Sequence, residues 1–205
     1  MLNLQNVTLI TSICSNNYLD DTIKSFKYNC GQANFGASRL LFESIPYESY
    51  NWWLLKNLVD YVKTDFALIV QWDSGIINPH LWSEDFLQYD YIGAPWQQNW
   101  PNRVGNGGFS LRSKKYLETC SEIADSIPLN TFIAQNEDFF SCVSALEFMN
   151  LQKIKFAPFN VARKFSVERS CPEFYVDPED ISTYKSFGFH GDFNVAGMMK
   201  INNLI

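Results

Sequence analysis

The sequence predicts an α/β fold: one domain on a mostly parallel central sheet, with helices on both faces. Three observations predict it. Residues 1–75 alternate strand-like and helix-like apolar patterns as β-α-β-α-β, the order of a parallel sheet with crossover helices. Phe66-Ala67-Leu68-Ile69-Val70 is an unbroken apolar run, as in a strand covered on both sides. The chain of 205 residues is 46% hydrophobic, enough for one sizeable core. It carries no repeat, linker or low-complexity tract, so residues 1–205 read as a single domain.

The elements follow in order. Val7–Ile13 is a β-rich run with a polar end. Leu19, Ile23 and Phe26 recur at helical spacing. Ser38–Phe42 is a second strand. Trp53, Leu54, Leu55, Leu58, Val59 and Val62 make the apolar face of a helix from about 51 to 63. After Val70 the apolar run stops at Gln71-Trp72-Asp73-Ser74-Gly75. Tyr89–Ile92 is a short strand, and Gly93 opens a loop rich in Trp, Gln, Asn and Pro that runs to Asn106. Gly105-Asn106-Gly107-Gly108 reads as a tight turn requiring positive φ, left by a strand Phe109–Arg112. Ser113 caps a helix carrying Leu117, Cys120, Ala124 and Ile127, and Asn136 caps another carrying Phe139, Cys142, Val143 and Leu146. Ile154–Pro158 is a late strand, and the tail from Ser170 shows little periodicity.

Composition narrows the function. Twenty-two acidic against 16 basic residues leave a net charge of −6, which disfavours general nucleic-acid binding. Aromatic residues make up 16%, which excludes a disordered tail and suggests a cleft with exposed rings. No 18-residue apolar run predicts a membrane span, and Met1–Asn6 has no basic leader, so a cytoplasmic protein is expected. The five cysteines (14, 30, 120, 142 and 171) include no Cys-x-x-Cys pair and read as reduced, mostly core-filling thiols.

Few residues are placed for chemistry. Asp73 follows a buried strand, at the carboxyl edge where open α/β sheets bind ligands. A carboxylate there suits a divalent cation bridging phosphate oxygens, or else an Asp opening a turn. Glu137-Asp138 is an acidic pair at a helix start. The helix dipole alone favours such a pair, and a general base is the functional alternative. His190, between Gly188 and Gly191, is a loop histidine or a metal ligand; His80 reads as a turn residue. The glycine run is neither a Walker loop nor a dinucleotide fingerprint. Trp72, Trp82, Trp96 and Trp100 lie near loops in greater number than core packing requires, and suit stacking on sugar rings. Arg103, Arg112, Lys114, Lys115, Arg163 and Lys164 read mostly as solvated surface charges.

The blocks QWDSG (71–75), YDYIGAPW (89–96), GNGGFSLRS (105–113), NEDFF (136–140), FAPFNVARKFSVE (156–168) and FGFHG (187–191) together resemble a glycosyltransferase-like domain family long described as uncharacterised. That family is similar to nucleotide-sugar-dependent enzymes of the GT-A fold. The resemblance spans about residues 6 to 191, most of the chain. It implies transfer of a sugar from a nucleoside diphosphate donor, a UDP-sugar, to a carbohydrate or other hydroxyl acceptor, by inversion and with Mn or Mg. Asp73 then matches the carboxylate of a metal-binding Asp-x-Asp element, and His190 a late histidine completing the metal site. Gln71, Trp72, Gly107 and Gly108 fall on the donor side. Thr11 and Ser12 fall where base and ribose are held, and Lys56 where a cation approaches the donor. Asp138 matches the base and Glu137 the acceptor ligand, the helix start keeping the base ionised. Gln71 departs from the pattern, since it stands in place of the first Asp and brings no charge to a cation. Two other classes remain: a non-catalytic carbohydrate-binding module using the Trp-rich loop, and a nucleotidyltransferase, for which a second strand-end carboxylate pair is lacking.

Overall fold

The computed structural model describes residues 1–43, 45–127 and 136–204. β1 (Leu2–Ile13), α1 (Leu19–Cys30), β2 (Ala33–Phe42), α2 (Tyr47–Asn57) and β3 (Phe66–Val70) realise the β-α-β-α-β order. β2 begins earlier than the Ser38–Phe42 run, because parallel pairing with β1 already holds Ala33 beside Leu2. α2 starts right after Pro46, whose missing N–H costs nothing at a helix start. It gives way at Leu58 to a 3-10 turn ending at Tyr61, so the helix lies earlier than 51 to 63.

The main sheet has the order β2-β1-β3-β6-β5, with β5 at Tyr91–Pro95 and β6 at Val104–Ser113. β1 pairs in parallel with β2 and β3, whereas β6 is antiparallel to both β3 and β5. The sheet is therefore mixed, with four strands pointing one way and β6 opposing them. Residues 96–103 join β5 directly to β6, and a connection that short permits only antiparallel pairing. The expected glycine turn is part of β6, and none of Gly105, Gly107 and Gly108 has positive φ.

Alternation along the central strands divides the core. Ile10, Ala67 and Ile69 face α2 and α3 (Lys114–Ser126), whereas Leu9, Leu68 and Val70 face the side carrying Phe165 and Phe187. Helices thus cover both faces. Ser113 caps α3 through its hydroxyl, as expected, by accepting the Tyr116 N–H. Cys120 and Cys142 are buried, and burial pushes the Cys120 thiol up to about 12, which suits core fillers.

The stretch after residue 136 is less regular. Asn136 makes no side-chain cap, and α4 (Glu137–Phe139) passes at once into a π-helical turn, Phe140–Ser144, followed by α5 (Leu146–Leu151). The expected late strand reduces to a single bridge between Phe156 and Tyr91. The tail has more structure than its weak periodicity suggested. After α6 (Phe159–Phe165), a second sheet has the order β4-β8-β7, made of Ser74–Ile76, Gly188–His190 and Ser166–Val167, and α7 (Val195–Ile201) packs against it. Among the described residues no helix is long and apolar enough to cross a membrane.

Candidate active site

A cleft of about 510 Å³ opens along the first half of β6, a volume usual for a small-molecule site. Two glycines of that strand let charged side chains lie directly on its backbone. A Cβ on Gly107 would stand 2.8 Å from both the Arg112 guanidinium and Glu137 Oε1, and one on Gly108 would run into the His190 imidazole. Absence of a side chain, not positive φ, is what these positions need.

The 71–76 segment is held from below by α1. The Ser25 hydroxyl donates to the carbonyls of Gln71 and Ser74, and the Asn29 side chain accepts the Ile76 N–H. From above, Gln71 N–H and the Ser74 hydroxyl both donate to the Gly108 carbonyl. Antiparallel pairing of β4 with β8 sets Ser74 opposite His190, so Asp73 and His190 meet although distant in sequence. Gly191, at φ 100°, turns the chain away and donates its N–H to the Asp73 carbonyl.

His190 sits between acids. Its Nε2 lies 3.2 Å from Gln71 Oε1 and 3.5 Å from Asp73 Oδ1, and its Nδ1 lies 3.9 Å from Glu168. Burial opposes its charge, but the carboxylates of Asp73, Glu168 and Asp138 outweigh that and raise its pKa. Asp73 Oδ1 is buried and has no hydrogen-bond partner among the described residues.

The acidic pair splits into two roles. Glu137 is buried and its Oε1 takes a 2.7 Å bond from Arg112, itself 3% exposed. Arg112 also donates to Ser110 and to the Gly107 carbonyl, so it is no solvated surface charge. Asp138 accepts the N–H groups of Gly107 at 2.8 Å and Phe139 at 2.6 Å. Burial, then the Glu137 charge, push its carboxyl up to about 7, against the pull of those N–H groups and Arg112. The expectation that a helix start keeps it ionised is thus corrected, since burial and the Glu137 charge outweigh the N–H groups that the helix start offers.

Of the residues singled out from sequence, Gln71, Gly107, Gly108, Glu137, Asp138 and His190 line this one cleft, with Asp73 behind His190. Thr11, Ser12, Lys56, Trp72 and Trp82 lie off its lining. Thr11 is fully buried, its hydroxyl without a partner among the described residues, and Ser12 bonds Tyr50. Lys56 pairs with Asp125 and lies over the Trp52 ring. Trp72 stacks on Tyr18 with ring centroids 4.5 Å apart. Trp82 packs against Phe86 and Phe187, whereas Trp96 and Trp100 reach the cleft. Sequence reasoning missed Arg112 and Glu168. The signal for Arg112 was that no other residue of Val104–Ser113 carries a charge; Glu168 carried none.

Donors for a divalent cation converge at His190 Nε2, Gln71 Oε1 and the unpartnered Asp73 Oδ1. The two separations from His190 Nε2, 3.2 and 3.5 Å, are those of neighbouring ligands around a small cation held at roughly 2.1 Å. Among the described residues no group of three or more His, Cys, Asp or Glu side chains forms a metal centre. The donor set therefore fits a cation only as a partial shell that a ligand's own oxygens complete.

The fold is similar to that of a solved protein over nearly the whole chain. The crystal structure of a glycosyltransferase involved in the glycosylation of the major capsid of PBCV-1 is similar over 96% of this chain and 98% of its own, at 13% identity and a TM-score of 0.54. At that identity the likeness is one of fold. The crystal structure of A197 from STIV is similar over 76% of this chain and 80% of its own, at 14% identity and a TM-score of 0.38, a likeness too loose to carry weight. The chain belongs to the protein family of unknown function DUF5672, whose model matches residues 37–190. No protein with a curated description matches the sequence.

Proposed function

We propose that this protein is a glycosyltransferase that moves a sugar from a nucleoside diphosphate donor, a UDP-sugar, to a hydroxyl acceptor with inversion. One observation carries the reading: Asp138 and His190 lie on adjacent glycines of one buried strand and line one cleft. A base and a cation-binding group are thereby held a short, fixed distance apart. The glycosyltransferase fold of a distant structural neighbour supports the reading.

In this reading Asp138, poised near neutrality, takes the proton of the acceptor hydroxyl. The freed oxygen pair forms the bond to the anomeric carbon. The bond from that carbon to the diphosphate oxygen breaks, and its electron pair leaves with the diphosphate. A single displacement of this kind inverts the anomeric centre. His190, Asp73 and Gln71 would hold a divalent cation, Mn or Mg, which when bound offsets charge on the diphosphate. Arg112, paired with Glu137, bonds the Gly107 carbonyl, and the N–H of the same residue orients Asp138.

Thermal-shift measurement with UDP and UDP-sugars, with and without Mn²⁺, tests the donor. Saturating ligand at 100 times its dissociation constant stabilises by about 2.7 kcal/mol, a shift of several degrees. Stabilisation by UDP that grows with Mn²⁺ is expected. If only nucleoside triphosphates stabilise and turn over, a nucleotidyltransferase replaces this reading; if no nucleotide does, the donor assignment fails.

A further inference from the structure

We propose that Trp96, Trp100 and Phe139 form a saccharide subsite, and that its ligand is a neutral glycan whose terminal ring lies against these aromatic faces. That this glycan is the sugar acceptor rests on the transferase reading above; that it binds does not.

The three rings make one wall. Phe139 lies 6.2 Å from Trp96 at 47° and 5.4 Å from Trp100 at 80°, centroid to centroid. The Trp100 side remains 39% exposed, a large apolar face left open to the cleft. The wall is rigid before any ligand arrives. The Trp96 indole lies on Gly105, where a Cβ would collide with the ring. The loop between β5 and β6 is tied down at three further points. Gln97 donates to the Ser170 carbonyl at 2.6 Å, Asn102 to the Cys142 carbonyl at 3.2 Å, and Arg103 forks onto Glu173 at 2.6 and 3.2 Å. Little ordering entropy is then left to lose on binding.

The chemistry around the rings selects the ligand. Asn51, Gln98 and Asn136 line the same cleft, and each amide carries both a donor and an acceptor. Aromatic faces rimmed by amides match a sugar ring, which has an apolar C–H face and a rim of hydroxyls. Charge argues against an anionic ligand. Among the described residues the cleft lining holds one arginine, Arg169, which lies over the Phe193 ring at 3.8 Å, and the acids Asp138 and Glu168 of the same lining would repel further negative charge. Phe139 directly follows Asp138, so a ring held on this wall presents its hydroxyls beside that carboxylate.

Titration calorimetry tests this on the whole protein. The probes are neutral di- and trisaccharides of glucose, galactose and mannose, set against glucuronate-containing and sulfated oligosaccharides. Neutral saccharides should bind, and Trp100→Ala should weaken binding at least tenfold. Trp100 is partly exposed, and the unchanged melting temperature of the variant confirms that it is folded. Gln98→Ala, at an exposed amide, supplies a second and milder loss. Absence of neutral-saccharide binding at millimolar concentration, preference for the anionic set, or unchanged binding in Trp100→Ala overturns the subsite. The UDP thermal shift of the unaltered protein separates the two readings. UDP binding without saccharide binding defeats this inference and leaves the transferase. Saccharide binding lost in Trp100→Ala, without any nucleotide binding, keeps the subsite and defeats the transferase.

Discussion

Asp138 and Glu137 are neighbours in sequence with opposite surroundings, and the difference is Arg112. The guanidinium takes up the Glu137 charge inside the protein, so of these two acids of the cleft lining Asp138 is the one with no ion-pair partner among the described residues. Its carboxyl stands at about 7, above the ordinary 3.8. Transfer should therefore rise with pH through about 7 as the base ionises, which a pH–rate profile reads directly. The consequence for stability has the opposite sign. A raised folded pKa means the neutral form is preferred in the fold, so this group's contribution is fully present below about 4 and is lost as pH rises through about 7. Asp138→Asn should thus lower transfer by roughly 10²–10⁴-fold. The melting temperature at pH 8 should stay within a few degrees of the parent's, because the amide removes a buried charge but sets its NH2 against one of the two N–H groups that the carboxylate accepts. Arg112→Met acts on stability. It strands the Glu137 carboxylate without its partner and should cost about 3–5 kcal/mol in denaturant unfolding. Arg112→Met with Glu137→Gln should recover a large part of that, since the two sites are directly coupled. The sequence displays the acidic pair plainly. It does not display which acid is neutralised, because the partner arginine comes 25 residues earlier and looks like any surface charge.

At the level of elements, β6 shows how one residue type can answer two physical demands. Glycine serves where φ is positive and also where a neighbour leaves no room for a Cβ. Gly105-Asn106-Gly107-Gly108 satisfies the first pattern in sequence, yet the chain there is extended and the crowding is supplied by Trp96, Arg112, Glu137 and His190. Those neighbours come from β5's exit loop, β6 itself, α4 and β8, so the reason for the glycines is tertiary. By contrast β1, α2 and β3 were legible because their patterns depend only on which face is buried, whereas α1 buries Thr22, Ser25 and Asn29 and only half-buries the apolar face of Leu19, Ile23 and Phe26 that marked it as a helix. Gly108→Ala offers a measurement specific to the second demand. The added methyl must displace the imidazole of His190 while leaving the strand's backbone conformation allowed. Nucleotide-dependent stabilisation by Mn²⁺ should be lost or strongly weakened, with a far-UV circular dichroism spectrum like that of the parent. An unchanged Mn²⁺ response would show that His190 is not held against this strand.

The molecule as a whole is two sheets that share one site, and the smaller one is made at a distance. β8 exists because it pairs with β4 on one side and β7 on the other, segments that flank it far apart in sequence. Three-residue strands carry no usable period, which is why the tail looked irregular although it delivers His190. Phe189 is the side chain around which this sheet's own core packs. It is fully buried, meets the Tyr184 ring edge-on at 6.2 Å, and lies so close to α7 that a Cβ on Gly197 would stand 2.7 Å from its ring. Its neighbours come from two separate parts of the chain, Ile77 from just after β4 and Ala196 and Ile201 from α7. Phe189→Ala removes the ring around which they pack, and should destabilise by about 3–5 kcal/mol in denaturant unfolding. Because β8 carries His190 on its next residue, the same change should weaken the Mn²⁺-dependent part of UDP stabilisation more than saccharide binding at Trp100, which belongs to the larger sheet's loop. Phe189→Leu keeps most of the apolar volume and should restore stability in large part, and with it the Mn²⁺ response. If both variants lose UDP and saccharide binding together while remaining folded, the two sheets are not separable supports of the cleft, and the division of labour between them is wrong.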